Sequence, residues 1–136
     1  MKSFGKAIGY GILVWLIPFI VAFILFPIHD SARPLFESVM AVTVCAAAVV
    51  FGIAYLKNVK EGVVQEGIRI GTLWFIISIL IDAPLMLLGG PMKMSISEYI
   101  DDIGITYLCI PVITWGLSVA FSRSANELNP SDKNAD

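Results

Sequence analysis

Residues 70–88 read IGTLWFIISILIDAPLMLL, and the one charged side chain among them is Asp82. As a helix this run is roughly 28 Å long, close to the ~30 Å hydrocarbon core of a bilayer. A charge at that depth is costly, and an intramembrane ionisable residue is by default a functional candidate. Asp82 is thus the first residue to explain, and the run around it decides the fold class.

Working outward, three further stretches share its character, giving spans at about residues 8–28, 34–56, 68–88 and 99–121. Hydrophobic residues make up 57% of the chain and charged ones 15%. Mean hydropathy is +0.83, whereas soluble domains carry about 25% charged residues. The expected fold is an all-α membrane protein of four transmembrane helices. Helices are required because backbone polar groups find no partner in lipid, and the alternation of a membrane barrel strand is absent. The 136 residues suit one domain over 1–125. Residues 126–136 are polar and aperiodic, which reads as a disordered cytoplasmic tail. The first apolar run exceeds the ~7–15 residues of a signal-peptide core and lacks a small-x-small cleavage pattern, so it is read as a retained span.

The junctions carry their own signals. Pro34 suits the first turn of a second helix, and Gly89-Gly90-Pro91 stops the third. Ser95 and Glu98 have capping-box spacing, which predicts a fourth helix starting near Ile96. Orientation follows lysine and arginine. Lys2, Lys6, Lys57, Lys60, Arg69, Arg123 and Lys133 fall on the side of both termini, against Arg33 and Lys93 on the other. Seven against two makes both termini cytoplasmic, in a multi-pass protein expected in the cell membrane.

The two halves look alike. A shift of 60 aligns Ile8 with Ile68, Gly11 with Gly71 and Ile17 with Ile77, and a shift of 64 aligns Cys45 with Cys109. The halves then read as two helical hairpins in parallel repeat, with a pseudo-twofold along the membrane normal. Small-xxx-small pairs recur: Gly5/Gly9, Ala7/Gly11, Ala48/Gly52, Gly67/Gly71 and Gly116/Ala120. Such spacing lets helix backbones approach closely within lipid. It predicts tight packing towards the cytoplasm and a wider outer half.

Several function classes drop out. A net charge of −2 does not suit nucleic acid. Cys45 and Cys109 lie in apolar segments without a Cys-x-x-Cys or Cys/His cluster, so they read as packing residues. No serine–histidine arrangement or phosphate loop occurs, and His29-Asp30 alone cannot hold a metal. No cofactor is expected, and an enzyme is the less favoured class.

What remains is acidity on one side. Asp30, Glu37, Asp82, Glu98, Asp101 and Asp102 fall in the outer half, with Thr43, Thr106 and Tyr107 at depths near Asp82. Glu37 lies four residues after Arg33, a spacing that allows a helical ion pair with Arg33 as structural partner. The expected site is an outward-facing acidic vestibule with Asp82 at its floor and Glu37, Asp101 and Asp102 at its entrance. The hydroxyls of Thr43, Ser78, Thr106 and Tyr107 would complete it. Burial favours the neutral form of a carboxyl group, which lets such a residue take up and release a proton or hold a cation. Prolines 18, 84 and 111 each free a carbonyl four residues upstream.

The runs YGILVWLIPF at 10–19, RPLFES at 33–38 and IGITYLCIPVIT at 103–114 resemble those of small four-span prokaryotic membrane proteins of unassigned function. With Glu66, Trp74 and Asp82, the likeness covers nearly all of the chain but its tail. It implies a four-helix membrane fold and nothing about activity. Four-span drug exporters carry their essential carboxylate in the first span; here that span has none, so their mechanism is not transferred. The functional expectation is a small membrane protein that binds or moves a small cation or protons, acting as a homo-oligomer. Its rival is a non-catalytic membrane component that binds a partner protein or lipid.

Overall fold

The computed structural model describes residues 3–89 and 95–128. Four helices account for nearly all of them: α1, Phe4–Leu25; α2, Arg33–Leu56; α3, Val63–Leu87; and α4, Ile96–Leu128. No strand occurs among the described residues. All four helices are long and apolar enough to cross a membrane. Their outward faces match that solvent, with Ile24 and Val42 each 68% exposed and Leu80 67%. In water such faces would aggregate; in lipid they need no cover.

The helix ends are set by local chemistry. Gly62 precedes α3 with φ of 63°, a left-handed conformation that glycine adopts without strain. Ser95 and Glu98 form the capping box that opens α4. A single 3₁₀ turn, Phe26–Ile28, containing Pro27, closes α1. Helix α4 runs on to Leu128, so Asn126, Glu127 and Leu128 are helical where the sequence suggested the tail begins. Nothing between Ala120 and Leu128 breaks a helix, and the first such signal is Pro130, which disfavours helix at Asn129. Residues 129–136 and 90–94, the latter including Lys93, lie outside the described residues.

In the bundle α1 packs on α2 and α3, and α4 packs on α3 and α2. The pairs that the repeat equates, α1 with α3 and α2 with α4, are therefore neighbours. A twofold along the bundle axis would set them on the diagonals, where α2 barely meets α3. The internal likeness does not appear as that symmetry.

Glycines decide where the helices touch. Gly67 and Gly71 of α3 lie against Ser118 and Thr114 of α4, so close that an added Cβ would collide with them. Gly11 of α1 receives the edge of Trp74, and Gly52 of α2 receives Leu117. Trp74, wholly buried, donates its indole N–H to the Ala7 carbonyl at 2.7 Å. Gly5, Gly9 and Gly116 have open space where a Cβ would stand, so those small-xxx-small pairs face outward. The close approaches lie in the half that carries the chain termini, leaving the other half more room.

Candidate functional site

Asp82 is 2% exposed, on the face of α3 that looks into the bundle. Helical spacing puts it there: the buried residues of α3 include Glu66, Ile70, Trp74, Ser78, Asp82 and Met86, each four apart. Trp15 of α1 donates its Nε1–H to Asp82 Oδ1 at 3.3 Å. Tyr107 of α4 donates its hydroxyl to Oδ2 at 3.1 Å. The Tyr99 hydroxyl is buried, with Asp82 nearby, but it makes no hydrogen bond among the described residues. A carboxylate has about four acceptor positions, so the two donors leave capacity for a proton or a cation.

A cavity of about 40 Å³ lies above this carboxylate, between it and the end of the bundle carrying the 29–32 turn. Glu37, Asp82, Asp102, Thr106 and Tyr107 all line it, with His29 at its margin. A water needs at least ~10–15 Å³ of such space, so the cavity suits two or three waters or a bare ion. Apolar side chains, among them Phe36, Met40 and Val44, form most of the wall. That leaves the polar groups few and convergent.

At the mouth, Arg33 changes the electrostatics from what the sequence suggested. Its Nε donates to Glu37 Oε1 at 2.9 Å, and its Nη2 donates to Asp102 Oδ1 and Oδ2, both at 2.7 Å. Two entrance acids are thus tied to one guanidinium that bridges α2 and α4. His29 stands beside them, its ring between those of Phe26 and Phe36. Its Nδ1 lies 3.0 Å from Asp30 Oδ1 and its Nε2 3.9 Å from Asp102 Oδ2. The mouth is an ion-paired latch, one guanidinium against two carboxylates, that keeps a net negative charge.

The backbone that carries Asp102 is itself irregular. Ile100–Gly104 forms a π-turn inside α4, a distortion that occurs often at functional sites. A second interruption follows at Leu108, where Pro111 leaves the Tyr107 carbonyl without its helical donor. Between them these breaks set the direction of Tyr107.

Of the residues read from sequence, five share the cavity: Glu37, Asp82, Asp102, Thr106 and Tyr107. Thr43 is half-buried and donates its hydroxyl to the Val39 carbonyl, outside the cavity. Met40 and Val44 hold the inward face of α2 at that depth, and Thr43 sits about 100° round the helix from Val44. Asp101 is exposed, turned from the cavity that its neighbour Asp102 lines. The carbonyl freed by Pro84 belongs to Leu80, whose side chain lies on the outward face.

Sequence reasoning did not single out Trp15, Tyr99 or His29 as site residues, nor the reach of Arg33 to Asp102. The only signal was that Trp15 and Tyr99 are aromatics with polar tips in otherwise apolar surroundings. Contact between Trp15 and Asp82 joins positions 67 apart; under the 60-residue shift Trp15 matches Phe75, so the repeat gives no hint of it. Among the described residues, no group of three histidine, cysteine or acidic side chains could hold a metal ion. Comparison with protein-family models, curated proteins and solved structures gives no match.

Proposed function

We propose that this protein binds a small cation, a proton or a bare ion, at Asp82 and passes it across the membrane. One observation carries the reading: a wholly enclosed carboxylate, held by Trp15 and Tyr107, forms the floor of a cavity with room for water. A carboxyl group whose only task was packing would not need that space above it. The volume of about 40 Å³ is too small for an organic substrate, since ligand pockets of that kind run to about 300–1,000 Å³. This argues against an enzyme acting on such a substrate.

In this reading the mouth faces outside. Seven of the nine lysines and arginines belong to the end of the chain termini and the 57–69 region, which the positive-inside rule assigns to the cytoplasm. Arg33 is the latch. Parting it from Asp102 opens the route to Asp82, and the π-turn gives α4 the slack to move. The protein works as a homo-oligomer, because a single four-helix bundle encloses little lumen. Support for assembly comes from Gly5, Gly9 and Gly116, against which none of the described residues packs.

The test is flux in vesicles. Reconstituted protein should carry protons or a monovalent cation above the rate of empty vesicles, and Asp82→Asn should abolish that excess. Equal flux in the two proteins would falsify the reading. The rival, a component that docks a partner protein through its outer faces, predicts no flux but a stable hetero-complex on gentle extraction.

A further inference from the structure

His29 is the one histidine of the chain, and it stands in the turn that joins α1 to α2. Local hydrogen bonds fix that turn: the His29 N–H donates to the Phe26 carbonyl and the Ala32 N–H to that of Ile28. The ring is held between those of Phe26 and Phe36, with centroids 5.7 Å and 4.9 Å away. Both ring nitrogens then face an acid. Nδ1 lies 3.0 Å from Oδ1 of the exposed Asp30, and Nε2 lies 3.9 Å from Oδ2 of the largely buried Asp102.

A neutral imidazole carries one N–H, so in either tautomer one nitrogen turns a lone pair towards a carboxylate. The imidazolium carries two N–H groups and suits both acids. Nε2 is buried and makes no hydrogen bond among the described residues, and an unmade bond at a buried polar atom is costly. One added proton makes it a donor with Asp102 Oδ2 within ion-pair distance. The surrounding charge favours that proton. Arg33 and Glu37 of α2, Glu98 and Asp102 of α4, and Asp30 of the turn set four acids against one cation near the ring. Asp82 of α3 lines the same cavity, and α1 brings no charged side chain to this end. Arg33 Nη2 bonds to each oxygen of Asp102 once, whereas a carboxylate has about four acceptor positions. A protonated His29 therefore joins Arg33 on Asp102 without displacing it.

We propose that His29 is a pH switch on the mouth: as imidazolium it pins the α1–α2 turn to Asp102 of α4 and holds the latch shut, and on losing its proton it lets that end part. This rests on the reading of Asp82 given above and adds the regulation of its entrance. The proton comes from water on the side of the exposed Asp30 and returns there, so no other reactant takes part. The pair exists only while the ring is charged. Its contribution is therefore complete in acid and is lost as pH rises through the histidine range, about pH 5–8. Above that range Arg33 alone holds α2 to α4. The mouth closes as its own side acidifies and loosens towards neutral pH.

Full-length protein without a histidine tag, isotope-labelled on its one imidazole, tests the pairing by NMR in lipid nanodiscs. The ring should hold its second proton about two- to fivefold more tightly in the wild type than in Asp102→Asn, the scale of one ion pair near a surface. Identical titrations in the two proteins overturn the pin. Should Asp102→Asn not fold, thermal melting in detergent takes its place. The stability advantage of the wild type over His29→Gln should be present at about pH 5.5 and shrink by about pH 8; an advantage that does not change with pH overturns the pin equally. Regulation is read in vesicles with equal pH on both sides and an imposed membrane potential. His29→Gln should exceed the wild type in flux by about two- to fivefold at about pH 5.5 and match it near about pH 7.5. A ratio independent of pH overturns the switch and leaves Asp82 standing. Absence of flux in every protein overturns the reading of Asp82, while the NMR comparison still decides whether His29 pins Asp102.

Discussion

Each oxygen of Asp82 has its own donor, so the site depends on single atoms. Tyr107→Phe removes the donor to Oδ2 and leaves the ring in place. A buried hydrogen bond to a charged group contributes about 1.5–3 kcal/mol. Tyr107→Phe should therefore alter flux with little effect on fold, read as changed transport beside an unchanged near-ultraviolet circular dichroism spectrum. Arg33 is different in kind, because one guanidinium holds two acids from two helices. Arg33→Gln should weaken that latch, raising flux while lowering the melting temperature in detergent. A variant with slower transport would mean that Arg33 serves the site in some other way. None of these contacts is visible from adjacency in the chain, since Trp15 and Arg33 reach partners 67 and 69 residues away.

At the level of elements, the glycines divide into two sets that look the same in sequence. Gly71 meets Thr114 and the Pro111 backbone, whereas Gly9 meets none of the other described residues. Gly71→Ala should destabilise the bundle by about 1–3 kcal/mol through overpacking, because a helix backbone cannot step aside cheaply. Gly9→Ala should leave the single chain as stable, or raise its stability by up to about 1 kcal/mol from the lower entropy cost in a helix. Thermal melting of both variants in detergent checks the contrast. Loss of a specific oligomer in Gly9→Ala, with the monomer intact, would link its outward face to assembly. Spacing alone announced five small-xxx-small pairs, and only packing could say which of them bind helices of one chain.

For the whole molecule, the positions of the close contacts and of the cavity define an axis. The half with the chain termini is sealed by Trp74, Gly67 and Gly71, and the other half holds the cavity and the Arg33 latch. Cysteine scanning tests how this axis sits in a membrane. In a Cys45→Ser/Cys109→Ser background, Ser95→Cys should react with an impermeant thiol reagent from outside in whole cells, and Lys57→Cys should react only after lysis. The reverse pattern would invert the protein and make the mouth cytoplasmic. Size selectivity is the matching functional measure. Quaternary ammonium ions should neither cross nor compete, because about 40 Å³ cannot admit them.

Composition and periodicity alone determined four apolar helices, the cap at Ser95, and the isolation of Asp82 within its apolar run. These are local properties, set by run length, turn chemistry and the cost of charge in lipid. Tertiary structure alone decided that α1 lies beside α3 rather than across from it, and that Trp15 and Tyr107 hold Asp82. It turned Asp101 and Thr43 away from the cavity, and it drew Glu37 and Asp102 onto the one guanidinium of Arg33. The physical reason is that apolar faces in lipid are nearly interchangeable, so sequence patterns choose helices but not their neighbours. Neighbours are chosen by a few glycine contacts and buried hydrogen bonds, and those exist only once the helices have met.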